Sequence, residues 1–260
     1  MINTFARKFL RKVLGFLTLK SIKKHDIEII VVVGWAGSSA VRELSYHLLA
    51  RHENVRRNTN EVWWDFSVPL CILGYEDKRR DFFAWSLLIL KAFVRLLLKG
   101  KYQHSLIINL DTSDKEIARF WSSSIRPDIV VLLKVRPESP FVYELLRDSS
   151  FRIIYNPSYL SKQLDYRKNS FTYSEKDGDL WYERKKDKLE LSYNGKNILI
   201  EIPEHFKVVW EYIPPAISVG LSKGIALSEL FNDLSTFSFH PRQLNKGISQ
   251  LRKFLSEKYG

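Results

Sequence analysis

The sequence contains a single cysteine, Cys71, so the chain cannot form an internal disulfide and suits a reducing compartment. Cys71 lies in the apolar stretch VPLCILG, which predicts a buried structural thiol and not a nucleophile. The six histidines do not pair with one another or with the cysteine at zinc-ligand spacing, so no metal site is predicted. Stability must come from a hydrophobic core, which 260 residues with 45% hydrophobic content can form.

Acidic residues are absent from residues 1–24, which hold seven of the twelve excess positive charges of the chain. Such a balance favours anionic partners: nucleic acid, acidic lipid or nucleotide. The segment predicts an amphipathic helix with Phe5, Phe9, Val13 and Phe16 on its apolar side. Three interpretations stay open: a helix packed on the domain, a helix on an anionic membrane surface, and a targeting peptide. The basic residues are Arg7, Lys8, Arg11, Lys12, Lys20, Lys23 and Lys24.

A long uninterrupted apolar run is also missing. The most hydrophobic segment extends from Phe82 to Lys101, but Lys91 and Arg95 interrupt it at helical spacing. A transmembrane helix needs about 20 consecutive apolar residues. The segment therefore predicts a strongly hydrophobic helix that is packed or interfacial, and not a membrane span.

Strands that alternate with helices predict an α/β fold with a mostly parallel sheet flanked by helices. Residues 1–25 form a basic helix, and residues 26–260 are expected to form one α/β domain. The predicted strands are Ile27–Val33, Ser105–Asp111, Pro127–Val135 and Phe151–Asn156. The predicted helices are Ser39–Arg51, Phe82–Leu98, Lys115–Ser123, Pro140–Arg147, His205–Lys223, Leu227–Leu234 and Arg242–Lys258.

Between residues 170 and 203 polar and apolar residues alternate, which predicts an inserted β-hairpin or meander. Turn signals occur at Asp177-Gly178 and at Asn194-Gly195.

The stretch VVVGWAGSSAVRE, from Val31 to Glu43, has the layout of a phosphate-binding loop: a buried strand, two glycines and a helix. Such a loop carries a lysine that contacts the phosphates, but position 38 is a serine. The indole of Trp35, inside the loop, is expected to fill space that a phosphate would otherwise use. The stretch therefore predicts a phosphate-loop fold whose cleft is partly filled.

Six fragments, in order, resemble the central ATP-binding domain of the Mur ligase family, and most closely the ligase that adds D-alanyl-D-alanine to the peptidoglycan precursor. The resemblance covers about residues 26–244 and implies a P-loop fold. The fragments are VVVGWAGSSAVRELSYHLL, FSVPLCILG, LIINLD, RPDIVVLLKVRPES, RIIYNPSYL and ISVGLSKGIALSELFNDLSTF.

The resemblance also implies that most functional groups of the family have been replaced. Ser38 stands where the family has its loop lysine, and Asn109 where it has a metal-binding glutamate. A serine cannot neutralise charge on a transferred phosphoryl group. Other replacements fall on Trp63, Trp64, Lys134, Ser139, Val208 and Tyr212, and the stretch with the family's active-site lysine is shortened. The residues predicted to line a nucleotide site are Gly34, Gly37, Ser38, Ser39 and Arg242.

These replacements predict a non-catalytic scaffold or regulatory partner linked to peptidoglycan precursor synthesis, without the family's flanking substrate domains. No catalytic residue is nominated, and the cleft could take ATP without Mg²⁺. A protein partner is expected, with an anionic membrane surface as a further partner through residues 1–24. The expected location is cytoplasmic, with peripheral attachment to the inner membrane face. The alternatives are an active ATP-dependent amide ligase with rewired residues, and a binder of anionic surfaces or nucleic acid.

Overall fold

The structure is a computed structural model. It describes residues 4–34, 37–59, 66–76, 78–98, 105–110, 116, 120, 125–134, 151–159, 169–202, 207 and 210–237.

The described strands form one sheet in the order β2-β3-β1-β4-β5-β6-β7-β8-β9. Pairing is parallel from β2 through β7, whereas β7, β8 and β9 pair antiparallel. This confirms the predicted α/β fold with a mostly parallel sheet and a meander near residues 170–203. The strands are β1 (Glu28–Val33), β2 (Val55–Arg57), β3 (Ser105–Leu110), β4 (Ile129–Leu132), β5 (Arg152–Tyr155), β6 (Ser170–Ser174), β7 (Leu180–Lys185), β8 (Lys188–Tyr193) and β9 (Lys196–Glu201).

Helices cover both faces of the parallel part of the sheet. Short 3-10 turns occur at Pro157–Tyr159 and Trp210–Tyr212. The described α-helices are α1 (Thr4–His25), α2 (Ser38–Leu49), α3 (Ser67–Leu73), α4 (Phe82–Leu97), α5 (Ile213–Ser222) and α6 (Leu227–Ser235).

The central strand β1 is buried on both faces because neighbouring side chains of a strand point to opposite sides. Ile30 and Val32 pack in a cluster with residues of α2, α5 and α6. Ile29, Val31 and Val33 pack in a second cluster with residues of α3. The continuous apolar run IIVVV is therefore the expected signature of a strand between two helical layers.

The helix predicted over His205–Lys223 is wrong in its first half. Lys207 is in a turn and Trp210–Tyr212 form a 3-10 turn, so the α-helix begins at Ile213. Pro214 and Pro215 explain this start, since proline is tolerated in the first turn of a helix but not in its interior.

Several predictions fall wholly or partly beyond the described residues. The predicted helices Pro140–Arg147 and Arg242–Lys258 lie outside them, and within Lys115–Ser123 only Glu116 and Phe120 are described. The turn predicted at Asn194-Gly195 joins β8 to β9, and both residues have positive φ angles of 49° and 74°.

Helix α1 packs on the domain through a stripe of leucines. Leu10, Leu14 and Leu17 are buried against α3 and α4. Phe9 and Phe16, which belong to the apolar side predicted from the sequence, are 62% and 56% exposed. Both stripes are apolar, and helical spacing alone does not tell which one faces the core.

Candidate functional site

The candidate site lies where the carboxyl ends of the central parallel strands meet, which is where open α/β sheets bind ligands. Gly34 follows β1, Asn109 is near the end of β3, and Leu133 and Lys134 follow β4. The helix α2 begins at Ser38, so Ser38 and Ser39 form its first turn beside these strand ends. The structure thus brings together four of the predicted residues: Gly34, Gly37, Ser38 and Ser39.

Both glycines of the loop make close contacts. A Cβ atom added to Gly34 would lie 2.7 Å from Cβ of Leu133, so Gly34 packs directly on the residue that follows β4. Gly37 precedes α2 with a φ of 79°, a left-handed conformation that glycine adopts without strain. Its carbonyl accepts the N–H of Val41 at 2.9 Å and so starts the hydrogen bonding of α2.

The ring of Tyr212 lies against Gly37. A Cβ atom on Gly37 would be 2.0 Å from Cε1 and 2.2 Å from Cζ of this ring, so the ring occupies the space of a side chain at position 37. Tyr212 ends the 3-10 turn that leads into α5. The aromatic ring therefore packs on Gly37, directly before the start of α2.

Further aromatic residues pack in the same core cluster as Tyr212. Ring centroids of Tyr173 and Tyr182 are 6.4 Å apart, and those of Tyr182 and Trp210 are 6.3 Å apart. The amide of Asn156, just after β5, donates to the Tyr182 hydroxyl at 3.3 Å. These contacts form an aromatic group within that cluster.

Burial raises the pKa values of these phenols. The pKa of Tyr212 is raised to about 12, first by burial and then by the charge of Glu211 and by Tyr159. The pKa of Tyr173 and that of Tyr182 are also raised, again chiefly by burial. These phenols are therefore neutral at physiological pH.

A polar network connects the first turn of α2 to the ends of β2 and β3. The amide nitrogen of Asn109 donates to Oγ of Ser39 at 3.1 Å. Asn58, after β2, accepts the backbone N–H of Asn109 at 2.8 Å and donates to its backbone carbonyl at 3.1 Å. Asn109 Oδ1 is buried and accepts no hydrogen bond in the part of the chain that the structure describes. The side chains of Ser39 and Asn109 are thus hydrogen-bonded to each other.

The described residues do not fit a complex of ATP with Mg²⁺. Ser39 keeps the hydroxyl with which a phosphate-binding loop contacts Mg²⁺, but this oxygen accepts the side-chain amide N–H of Asn109, and Asn109 is neutral where a carboxylate would suit a hard cation. Within the described ranges, no group of three histidine, cysteine, aspartate or glutamate residues could hold a metal ion.

A buried ion cluster connects α2 with β2. Arg42 and Glu43 are both buried. Glu43 Oε1 accepts Arg42 Nε at 3.0 Å and Nη2 at 2.7 Å, and Glu43 Oε2 accepts Arg57 Nε at 2.5 Å. The Arg57 guanidinium lies 4.3 Å from the centre of the Tyr46 ring. This ion cluster attaches α2 to β2 and borders a cleft of about 440 Å³.

The structure describes only some of the remaining residues that the sequence analysis singled out. Cys71 is buried, and burial raises the pKa of its thiol to about 11, which agrees with an inert structural thiol. Lys134 is described and is exposed at the end of β4. Arg242 and Ser139 lie outside the described residues, as do Trp35, Trp63 and Trp64. Sequence reasoning missed the role of Asn58, whose only signal was a polar residue directly after a strand.

No protein-family profile and no curated protein matches this chain. Solved structures do resemble it. The MurF ligase of Thermotoga maritima in complex with ADP is 15% identical, with a TM-score of 0.67, over 89% of this chain and 53% of that one. MurF from Acinetobacter baumannii is 13% identical, with a TM-score of 0.57, over 89% and 51%.

A FolC protein of E. coli in complex with DHPP and ADP is 10% identical, with a TM-score of 0.52, over 86% of this chain and 60% of that one. The chain spans about half the length of the Mur ligases it resembles. The fold is thus that of the Mur and FolC-type ligases. At this level of identity the resemblance concerns the fold, and the activities of those ligases remain proposals for this chain.

Proposed function

We propose that this chain is a non-catalytic protein with a Mur-ligase-like fold, in which protein side chains fill the place of the nucleotide phosphates and the metal ion. The observation that carries the proposal is the contact between Tyr212 and Gly37. A ring against this glycine excludes a phosphate from the same position. The neutral pair Ser39 and Asn109 supports it, because it supplies no carboxylate to a hard cation.

The proposed role is that of a scaffold or regulatory partner in peptidoglycan precursor synthesis, at the cytoplasmic face of the membrane. A folded protein that no longer turns over substrate can still present a binding surface to another protein. The natural partner class is an active ligase of the same fold, which would be regulated by contact with this chain.

Calorimetric titration of the purified protein with Mg-ATP tests the loss of catalysis, and thermal unfolding with Mg-ATP provides a second readout. We expect neither binding heat nor a shift of the melting temperature, and no release of phosphate. A combined Ser38→Lys and Tyr212→Ala variant is the positive comparison, since it adds a cation and opens the space at Gly37. ATP hydrolysis or ligation by the wild-type protein, lost in Ser39→Ala, would overturn the proposal.

The partner role is tested with an active Mur ligase and its substrates. Adding this chain at equal concentration should change kcat or KM of the ligase, and sedimentation velocity should show a joint complex. A ligase whose kinetics and sedimentation are unaffected across all the Mur ligase steps would exclude this role.

A further inference from the structure

The outer face of α4 is apolar although it faces solvent. Trp85, Leu88 and Ala92 are buried on the domain side of this helix. At 3.6 residues per turn the opposite side carries Phe83, Leu87, Leu90, Val94 and Leu97, and all five are exposed. A helix that is apolar on all sides is normally buried on all sides. The outer face of α4 is therefore expected to bind another molecule.

The exposed apolar residues of the protein are concentrated on two helices. Eleven of the thirteen large hydrophobic residues recorded as exposed among the described residues belong to α1 and α4 or follow α4 directly. Phe82 and Phe83 are 88% and 77% exposed. Scattered exposed apolar residues are ordinary, but a contiguous group marks an interaction site.

Helices α1 and α4 present this group on one side of the molecule. Their inner residues meet in a single core cluster with Leu70 and Leu73 of α3. The amine of Lys24, near the end of α1, donates to the carbonyl oxygens of Leu96 and Leu98 at the end of α4. The two helices thus lie side by side on α3, with their outer faces directed away from it.

Basic residues frame this apolar surface, and neither helix contains an acidic residue. Exposed Phe9, Phe16 and Leu19 alternate on α1 with exposed lysines, and the amine of Lys20 lies 5.7 Å from the centre of the Phe16 ring. Beside α4, a cleft of about 400 Å³ is lined by Lys78, Arg80 and Lys91 together with Glu76. The lysines of the α1 outer face are Lys8, Lys12, Lys20 and Lys23.

The arrangement matches the interface of an anionic bilayer better than a membrane span. None of the described helices is long and apolar enough to cross a membrane. The 16 residues of α4 extend about 24 Å, less than the roughly 30 Å of a hydrocarbon core. Aromatic and leucine side chains next to lysines are the composition of helices that lie in the headgroup region.

We propose that α1 and α4 together form a docking surface for anionic phospholipid, here called the α1/α4 surface. Its apolar side chains enter the acyl boundary, while its lysines contact the phosphates of the lipid headgroups. The surface contains none of the loop residues Gly34 to Ser39. Membrane binding is therefore independent of whether the cleft takes a nucleotide.

Vesicle flotation tests the proposal with the full chain. We expect binding to phosphatidylcholine vesicles that contain phosphatidylglycerol, weaker binding to pure phosphatidylcholine, and a loss with increasing salt. A triple variant Phe83→Ser, Leu90→Ser and Leu97→Ser should reduce binding at least about tenfold to both vesicle types, because it removes the apolar insertion. Leu199→Ser is the matched control, since Leu199 is an exposed apolar residue on β9.

A charge series separates the lipid from other partners. Lys12→Gln, Lys20→Gln and Lys23→Gln together should weaken binding to anionic vesicles only. Lys176→Gln, Lys186→Gln and Lys196→Gln, which change the net charge equally at exposed positions of the meander, should not. Circular dichroism verifies that each variant is folded.

Insertion of α4 into the bilayer is measured with an environment-sensitive fluorescent label attached to a Leu90→Cys variant. The emission of this label should shift to the blue on anionic vesicles, whereas the emission of the same label on Leu199→Cys should not shift. The native Cys71 is buried and does not compete for the label. Failure of the wild-type protein to float with anionic vesicles would overturn the proposal. A self-associated wild-type protein that becomes monomeric in the serine variant, without vesicle binding in either, would assign the surface to a second copy of the chain instead.

Discussion

The ring of Tyr212 takes the space of a side chain at position 37, so Gly37 is constrained both by its φ of 79° and by this contact. Two residues 175 positions apart thus pack directly against each other. The positive φ of Gly37 is a conformational requirement for glycine, and the contact with Tyr212 is a steric one. Gly195, which has a positive φ but no such contact, allows the two to be measured separately.

Gly37→Ala should lower the free energy of unfolding by about 3 kcal/mol, since it combines a left-handed residue with a clash. Gly195→Ala is the matched control, because Gly195 has a φ of 74° but nothing lies within 4 Å of an added Cβ. This control should lose only about 1 kcal/mol. Urea denaturation measures both.

The loss of stability caused by Gly37→Ala should depend on the ring of Tyr212. In a Tyr212→Ala background, Gly37→Ala should cost about as much as Gly195→Ala, because the clash is gone. If Gly37→Ala lowers the free energy of unfolding equally in the wild type and in the Tyr212→Ala background, the proposed packing of Tyr212 on Gly37 is contradicted.

Asn58→Ala should destabilise the protein by about 3 kcal/mol. The side chain of Asn58 satisfies both the backbone N–H and the backbone carbonyl of Asn109, and both groups would be left buried without a partner. Thermal or urea unfolding gives the size of the loss. Asn197→Ala, at an exposed position of β9, is the control and should change stability by less than about 0.5 kcal/mol.

The sequence was sufficient to predict the central sheet because its strands are continuous apolar runs. Ile29 to Val33 alternate between two helical layers, so every position must be apolar. The same logic does not tell which side of α1 is packed, because both the leucines and the phenylalanines repeat at helical spacing. Only the tertiary contacts with α3 decide that Leu14 is buried and Phe16 is exposed.

The candidate site was predicted only in part for a related reason. A loop after a strand identifies Gly34 and Gly37 locally, and the serine at position 38 is read directly. The contact of Tyr212 with Gly37 depends on where α5 begins, and Pro214 and Pro215 determine that start. A ring supplied from so far along the chain leaves no local pattern in the sequence.

Glu43→Gln should destabilise the protein by about 3 to 5 kcal/mol. Glu43 neutralises the buried Arg42 and also accepts a hydrogen bond from Arg57. Removing its charge leaves a guanidinium in a site where burial already lowers the pKa of Arg42. Glu201→Gln removes one side of an exposed pair with Lys188 at 3.8 Å and should have little effect. A loss at Glu43 no larger than that at Glu201 would show that α2 does not depend on this ion cluster.

Asp128→Asn should stabilise the protein at neutral pH but not in acid. Asp128 Oδ2 accepts the N–H of Ile29 at 2.7 Å, and an asparagine oxygen can accept the same bond. The pKa of Asp128 is raised, first by burial, against the opposing bond from Ile29, and further by the charges of Glu28 and Asp26. The folded protein therefore binds the proton more tightly than the unfolded chain does.

The sign of the pH dependence follows from that raised pKa. The stability that protonation of Asp128 contributes is complete below the ordinary pKa of 3.8 and is lost as the pH rises through the higher pKa of the folded state. Asp128→Asn should thus match the wild type in acid and exceed it at neutral pH by no more than about 1 kcal/mol, since water screens a half-exposed carboxylate. Urea titrations over a pH series measure the difference. Asp179→Asn is the control, because that exposed carboxylate accepts two bonds from Thr172 and its loss should not stabilise the fold. A gain for Asp128→Asn that persists below the ordinary pKa would show that charge is not its cause.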